Sequence, residues 1–269
     1  MLRISNLKKS FNIGTENETN IFQDFSLKIK NGETTAILGA NGCGKSTLFN
    51  IISGVIPCEN GNIELETENG MVSFNKLKEH QRAAYVARVH QNPSMGVSPS
   101  LTILENMALA DKKCSKFGFK KLVNKARVEA YKDMLRTLDL GLENKLATQV
   151  KFLSGGQRQS LSLIMSTMKK PELLLLDEHT AALDPKTSKV VMEKTMELVK
   201  KDKITTLMIS HNLRDAIKYS DRIIMLQKGE VVLDVRSNSI SEKELIEIYN
   251  KQNLDEIEDD NSENLVMAG

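Results

Sequence analysis

An α/β fold carrying a helical insertion is predicted from three features of the sequence. Short apolar runs of strand length precede helix-like segments at both ends of the chain. Glycine-rich or acidic turns close the two most apolar runs. Between the two ends lies a block whose apolar residues recur at helical spacing. The 269 residues include 40% hydrophobic and 27% charged side chains and have a formal net charge of +2. Those values exclude wholesale disorder and fibrous folds and leave ample length for a core. No apolar run reaches the ~20 residues of a membrane span. The stretch from Met1 to Phe11 has no signal-peptide character, so a chain that is not secreted is expected. Three scattered cysteines, Cys43, Cys58 and Cys114, match no metal spacing and suit a reducing compartment.

Taken in order, Leu2 to Leu7 is a short strand, and Phe22 to Lys30 alternates with Phe25, Leu27 and Ile29 on one face. Asn31-Gly32 marks a turn, Thr34 to Leu38 a buried strand, and Ser46 to Ser53 a helix stopped by Gly54. Ile63 to Leu65, Met71 to Phe74 and Tyr85 to His90 are short β-prone pieces. Thr102 to Glu105 has capping-box spacing, and a helix is predicted over Leu122 to Leu140. Leu161, Ile164, Met165 and Met168 lie at i, i+3, i+4 and i+7 of another helix, which Pro171 punctuates. Leu173 to Leu176 is a continuous apolar run, as in a parallel strand covered on both faces. Asp184-Pro185 is a cap with proline at the first helical position of a helix running to Val199. Ile204 to Ile209 is a further strand, Lys228-Gly229 joins a hairpin of Arg222 to Leu226 with Val231 to Leu233, and Ser241 to Glu244 opens a last helix.

Chemistry concentrates in three places. Gly39-Ala40-Asn41-Gly42-Cys43-Gly44-Lys45-Ser46 fits the phosphate-binding loop. Its glycines can turn backbone N–H groups toward a polyphosphate, and the helix that follows adds its positive end. Lys45 would reach the β- and γ-phosphates and Ser46 would coordinate Mg²⁺. The Leu173 to Leu176 run delivers Asp177 and Glu178 to a strand end, where α/β sheets bind ligands. Asp177 is predicted to hold Mg²⁺ and Glu178 to polarise the attacking water. Leu153-Ser154-Gly155-Gly156-Gln157 opens the helix ending near Met168, a hydroxyl and bare N–H groups forming an anion cradle.

With these motifs the chain resembles the ATP-binding cassette (ABC) ATPases, the motor subunits of ABC transporters, over roughly residues 2 to 235. The resemblance implies a P-loop NTPase (RecA-like) core with an N-terminal antiparallel β subdomain and an inserted α-helical subdomain. It implies one cassette over 1–250, with the core at about 1–91 and 169–240 and the helical subdomain at about 92–168. The acidic stretch 251–269, rich in Asp and Glu, is expected to be a disordered tail.

Further positions resemble the family pattern in order. Gln91 resembles the glutamine that contacts Mg²⁺ and the attacking water. His211 resembles the switch histidine of the γ-phosphate, Asp184 the residue that crosses the dimer interface, and Phe11 the aromatic that stacks on adenine. Thr47 continues the phosphate loop. The resemblance also implies that Ser154, Gly155, Gly156 and Gln157 of one copy close on ATP held by a second copy. Its partners would be that second copy, integral-membrane permease subunits and an extracytoplasmic substrate-binding protein. The expected location is the cytoplasmic face of the membrane. The alternative within the family is a soluble cassette such as the iron–sulfur assembly scaffold ATPase. Coiled-coil DNA-repair relatives are excluded because only 131 residues lie between Lys45 and Asp177, without heptads. Where the common run has Pro-Thr-Ser, this chain has His179-Thr180-Ala181, which resembles importer ATPases paired with permeases of the branched-chain amino-acid type.

Other features have ordinary readings. The chain outside the acidic tail is mildly basic, which is no nucleic-acid signature and suits an anionic membrane surface. Lys112, Lys113, Lys116, Lys120, Lys121 and Lys125 are expected on a solvated face, and Cys43 as a small loop filler. The segment Asn92 to Met107 is expected to meet a permease helix, with Val97, Leu101 and Leu104 as the packing residues.

Overall fold

The computed structural model describes residues 1–113 and 121–252. Cys114, Lys116, Lys120 and almost all of the acidic stretch lie outside them. The chain begins with β1 (Leu2–Phe11) and β2 (Thr19–Ile29), both longer than the sequence predicts. In β1, Leu2, Ile4 and Leu7 are buried, and the break in strict alternation is a register shift at Asn6, whose φ is +50°. Next come β3 (Thr34–Leu38), α1 (Lys45–Ser53), β4 (Asn60–Thr67), β5 (Gly70–Ser73), the single turn α2 (Glu79–Arg82) and β6 (Val86–Val89). The middle holds α3 (Ile103–Asp111), α4 (Val128–Arg136) and α5 (Gly155–Thr167). The last part runs β7 (Leu173–Asp177), α6 (Pro185–Asp202), β8 (Thr205–Ile209), α7 (Leu213–Tyr219), β9 (Arg222–Gln227), β10 (Glu230–Arg236) and a helix α8 over 242–252.

The strands form two sheets. An antiparallel four-stranded sheet has the order β2-β1-β4-β5; a six-stranded sheet has the order β10-β9-β3-β8-β7-β6. Every pair in the larger sheet is parallel except β9 with β10. All five residues of β3 and the four leucines of β7 are buried, because layers cover both faces of the sheet. One apolar cluster fills the space between the two sheets around α1, using Ile4, Phe22, Leu48, Phe49, Leu175 and Ile224. On the opposite face α6 and α7 contribute Met192, Met196, Val199 and Ala216. A third cluster belongs to α3, α4 and α5, centred on Met107, Tyr131, Leu135 and Leu161.

Local signals explain most boundaries. Thr102 caps α3 through a capping box with Glu105, and Asp184 caps α6 with Pro185 behind it. Lys228 and Gly229 both have positive φ, as a two-residue β9–β10 hairpin of the primed type requires. Ser241 and Glu244 exchange capping hydrogen bonds at the start of α8. The helix predicted from Leu122 to Leu140 is shorter: Lys125–Arg127 is a 3₁₀ turn and α4 starts at Val128. Asn124 accepts from Ala126 N and so competes with a helical start upstream. Asp111 ties this region together, accepting from Arg127, Lys169 and Tyr131. Burial is the largest single influence and raises its pKa, but the combined hydrogen bonds outweigh it and hold the carboxyl at about 2. Among the described residues no helix is long and apolar enough to cross a membrane.

Candidate active site at the strand ends

The phosphate loop leaves β3 and enters α1. Gly39, Gly42 and Gly44 have φ of +140°, +90° and +107°, values that disfavour any side chain. Gly39 also has no room: a Cβ there would lie 2.2 Å from Leu226 O. Gly42 differs, since nothing stands within 4 Å of its missing Cβ. Gly44 is the N-cap of α1 and supplies no side-chain cap, which leaves the first N–H groups of the helix without a side-chain acceptor. Lys45 is 6% exposed, and its ammonium donates to Gly39 O at 2.7 Å and Ala40 O at 2.6 Å. Ser46 is exposed at the loop mouth. Cys43 is packed into the core between the sheets, the small filler expected.

A cleft lined by Asn41, Gly42, Gly44, Lys45, Ser46, Thr47 and Glu178 joins this loop to the end of β7. The chain turns sharply at Glu178, which has a φ of +46°, a region that costs a non-glycine residue energy. Its N–H donates to Ile209 O at 3.2 Å, and Oε1 meets His211 Nε2 at 2.7 Å. His211 stands two residues beyond β8, so adjacent parallel strands bring the two side chains together. The next residue, His179, is 1% exposed, and its Nε2 lies 3.2 Å from Thr195 Oγ1 on α6. Thr195 donates its own hydroxyl hydrogen to Val191 O, so the ring nitrogen is the donor and His179 is the Nε2–H tautomer. Burial pushes its pKa down to about 4.

Asp177 ends β7 in an ion pair with Arg88 of β6, which the sequence reading missed. The signal was a lone charge inside Val86-Ala87-Arg88-Val89, a strand otherwise apolar. Gln91 is exposed just past β6. The β6–β7 register ends at Val89 with Leu176, so Gln91 leaves the sheet at the same end as Asp177 and Glu178. Phe11 ends β1, is 37% exposed and has the Lys9 ammonium 4.9 Å from its ring centroid.

The loop 154–157 contributes nothing to this cleft. Ser154 caps α5: its Oγ accepts from Gln157 N at 3.2 Å, while Gln157 Oε1 accepts from Ser154 N. The bare cradle expected from the sequence is therefore partly occupied by its own capping box, although the Ser154 hydroxyl hydrogen remains to be donated. Gly155 stays half-buried and Gly156 is buried, where a Cβ would lie 2.2 Å from Thr187 Cγ2. Asp184 is occupied in the same way, its carboxyl held low by hydrogen bonds from Thr187 at the start of α6.

Residues 22–181 match the ABC transporter family. The chain belongs to that family. The chain is 47% identical over 251 residues to a tyrosine transport ATP-binding protein of Clostridioides difficile (strain R20291), covering 93% of this chain and 98% of that one. It is 30% identical to a phosphonates import ATP-binding protein of Lactococcus lactis subsp. lactis (strain IL1403), covering 94% and 100%. Among solved structures, a dimeric post-hydrolysis state of an ATP-binding cassette bound to ADP and Pi matches with a TM-score of 0.72 at 28% identity, covering 88% of this chain and 99% of that chain. A second cassette, in its ADP conformation, shares the fold with a TM-score of 0.76 at 24% identity, covering 96% and 97%. The cassette is thus an ATP-binding ATPase with the P-loop NTPase fold.

Proposed function

We propose that this cassette is the ATP-hydrolysing subunit of a bacterial importer of a small solute such as an amino acid, working at the cytoplasmic face of the membrane. It would drive separate permease subunits, supplied by an extracytoplasmic binding protein, through ATP-dependent closure of two copies. The observation that carries the catalytic reading is the 2.7 Å contact of Glu178 with His211 beside the phosphate loop. In this reading the loop N–H groups and Lys45 bind the β- and γ-phosphates, and Phe11 takes the adenine. The Glu178 carboxylate accepts a proton from the attacking water, and His211 keeps that carboxylate aimed at it. Ser154 to Gln157 and Asp184 of the second copy complete the site. Exposed Ser46 and the Asp177 carboxylate, with Gln91, suit Mg²⁺, which takes one or two carboxylates plus phosphate oxygens and waters. Bound there, the ion supplies charge neutralisation for the phosphates.

The helical block 92–168 would transmit the motion. Of the three residues expected to pack against the permease, Val97 is buried in the helical cluster, Leu104 packs against it, and Leu101 is half-buried. Met95, 67% exposed, and Leu109, 40% exposed, take their place as docking candidates. The amino-acid assignment is supported by the tyrosine transport relative. Its test is co-purification of the cassette with its permease, reconstitution in liposomes, and uptake of labelled tyrosine against other amino acids. ATP-dependent tyrosine uptake is the expected result; a cassette that hydrolyses ATP with no membrane partner would overturn the importer reading.

A further inference from the structure

Arg88 is the one charged residue of β6, and its side chain is only 14% exposed. A buried guanidinium needs partners. Nη2 donates to Asp177 Oδ2, Nη1 donates to Asn50 Oδ1 at 2.7 Å, and Cζ stands 5.9 Å from the Phe49 ring centroid. The remaining nitrogen, Nε, is buried without any hydrogen-bond partner. The guanidinium therefore sits where its two terminal nitrogens are served, at the expense of Nε. Asn50 follows Ser46 by four residues on α1, one turn along the same helix face. The chain Asn50–Arg88–Asp177 thus ties the helix that carries Ser46 to the strand that ends in Asp177.

We propose that Arg88 is a positioning residue for Asp177, which sets how the site takes up divalent cation and nucleotide. It holds Oδ2 and leaves Oδ1 for the cation. It also offsets the negative charge that successive carboxylates, Asp177 and Glu178, present to an arriving polyphosphate. Two consequences follow from Coulomb's law. Cation without nucleotide is held poorly, because the carboxylate is already paired. Nucleotide without cation is tolerated, because the strand end is less negative. The inference rests on the reading that Asp177 stands at the cation position.

The test uses the full chain and two binding constants: Mn²⁺ alone followed by electron paramagnetic resonance, and ATP in EDTA followed by calorimetry. Arg88→Met is expected to tighten Mn²⁺ alone and to weaken ATP in EDTA, each about tenfold. Arg88→Lys restores the charge and should bring ATP in EDTA within about twofold of the parent. A purely structural cross-tie would lower the melting temperature of Arg88→Met and leave both constants within about twofold, which overturns the proposal. If Arg88→Met does not fold, Asn50→Ala decides, since it frees the far end without changing charge. It should weaken retention of Mn²⁺ by the ATP complex severalfold, and no change there overturns the proposal. Asp177→Asn separates the two ideas: if it leaves Mn²⁺ retention by the ATP complex unaltered, the assignment of Asp177 to the cation position fails, whatever Arg88 does.

Discussion

Two glycine-rich loops each open a helix in this cassette, and they are built on opposite plans. The phosphate loop ends in Gly44, an N-cap without a side chain, so the first turn of α1 has donors and no internal acceptor for them. The loop at 154–157 closes on itself, with Ser154 and Gln157 satisfying each other's backbone N–H groups. The glycines differ in the same sense. Gly39 and Gly44 have positive φ and a Cβ on either would collide with neighbouring atoms, whereas Gly156 has helical backbone and is glycine only because α6 approaches it through Thr187. One loop is built on backbone that only glycine adopts freely and leaves N–H donors without an internal acceptor, ready for an anion. The other is a stable helix start that offers a hydroxyl hydrogen at an exposed surface. The cleft at the phosphate loop takes no residue from 154–157, and the proposed function draws that loop from a second copy.

The largest expected effect removes chemistry and leaves both loops intact. Glu178→Gln keeps the shape of the strand end and should lower turnover by about 10²–10⁴-fold with ATP affinity little changed. The nucleotide should then hold two copies together, as gel filtration with ATP would read. Wild-type turnover in this variant would remove Glu178 from the mechanism.

The next contrast lies within the phosphate loop. Gly39→Ala drives a Cβ into Leu226 O and should cost more than about 3 kcal/mol, with loss of ATP binding. Gly42→Ala meets no atom and carries only the conformational cost, about 1–2 kcal/mol. Chemical denaturation of the pair reads the difference, and equal losses would contradict the packing account.

At the burial of His179 a pH effect of comparable size is expected. The folded pKa is depressed to about 4 from 6.5, so below pH 6.5 the unfolded chain takes up a proton that the folded chain refuses. Stability should fall as pH drops from about 6.5 to about 4, by about 3 kcal/mol in all, and change no further from this group below that. His179→Leu should flatten that slope in melting curves; an unchanged slope would assign it to other groups.

A smaller effect isolates the second loop. Gly156→Ala should destabilise by about 1–3 kcal/mol through its contact with Thr187 Cγ2. Thr187→Ser removes that methyl and should recover most of the loss in the double variant, a coupling that a backbone-strain explanation does not produce.

The sequence made much of this legible, and the reasons are local. β3 and β7 declare themselves as unbroken apolar runs because both faces are covered. The caps at Thr102, Ser154, Asp184 and Ser241 are readable because each is decided within four residues. What stayed hidden depends on neighbours distant in sequence. Arg88 and Asp177 are 89 residues apart and meet only because β6 lies beside β7. His179 reads only as a replacement for the usual Pro, and its burial and its contact with Thr195 depend on α6. Val97 reads as a candidate for packing against a permease helix and is core, because α5 and its neighbours pack over the segment after β6.

The central claim is that the two loops act on one ATP from different copies, and a mixing experiment tests it most directly. Lys45→Ala disables the phosphate loop and leaves 154–157 intact. Ser154→Asp keeps a good N-cap at an exposed position while turning a negative charge toward the phosphates. Each variant alone should hydrolyse ATP at background rates. Mixed, the heterodimer holds one intact composite site, so ATP hydrolysis should reappear and grow with the concentration of the partner chain. Full activity of Ser154→Asp alone, or turnover per wild-type chain that stays constant on dilution to single copies, would contradict a site shared between two chains.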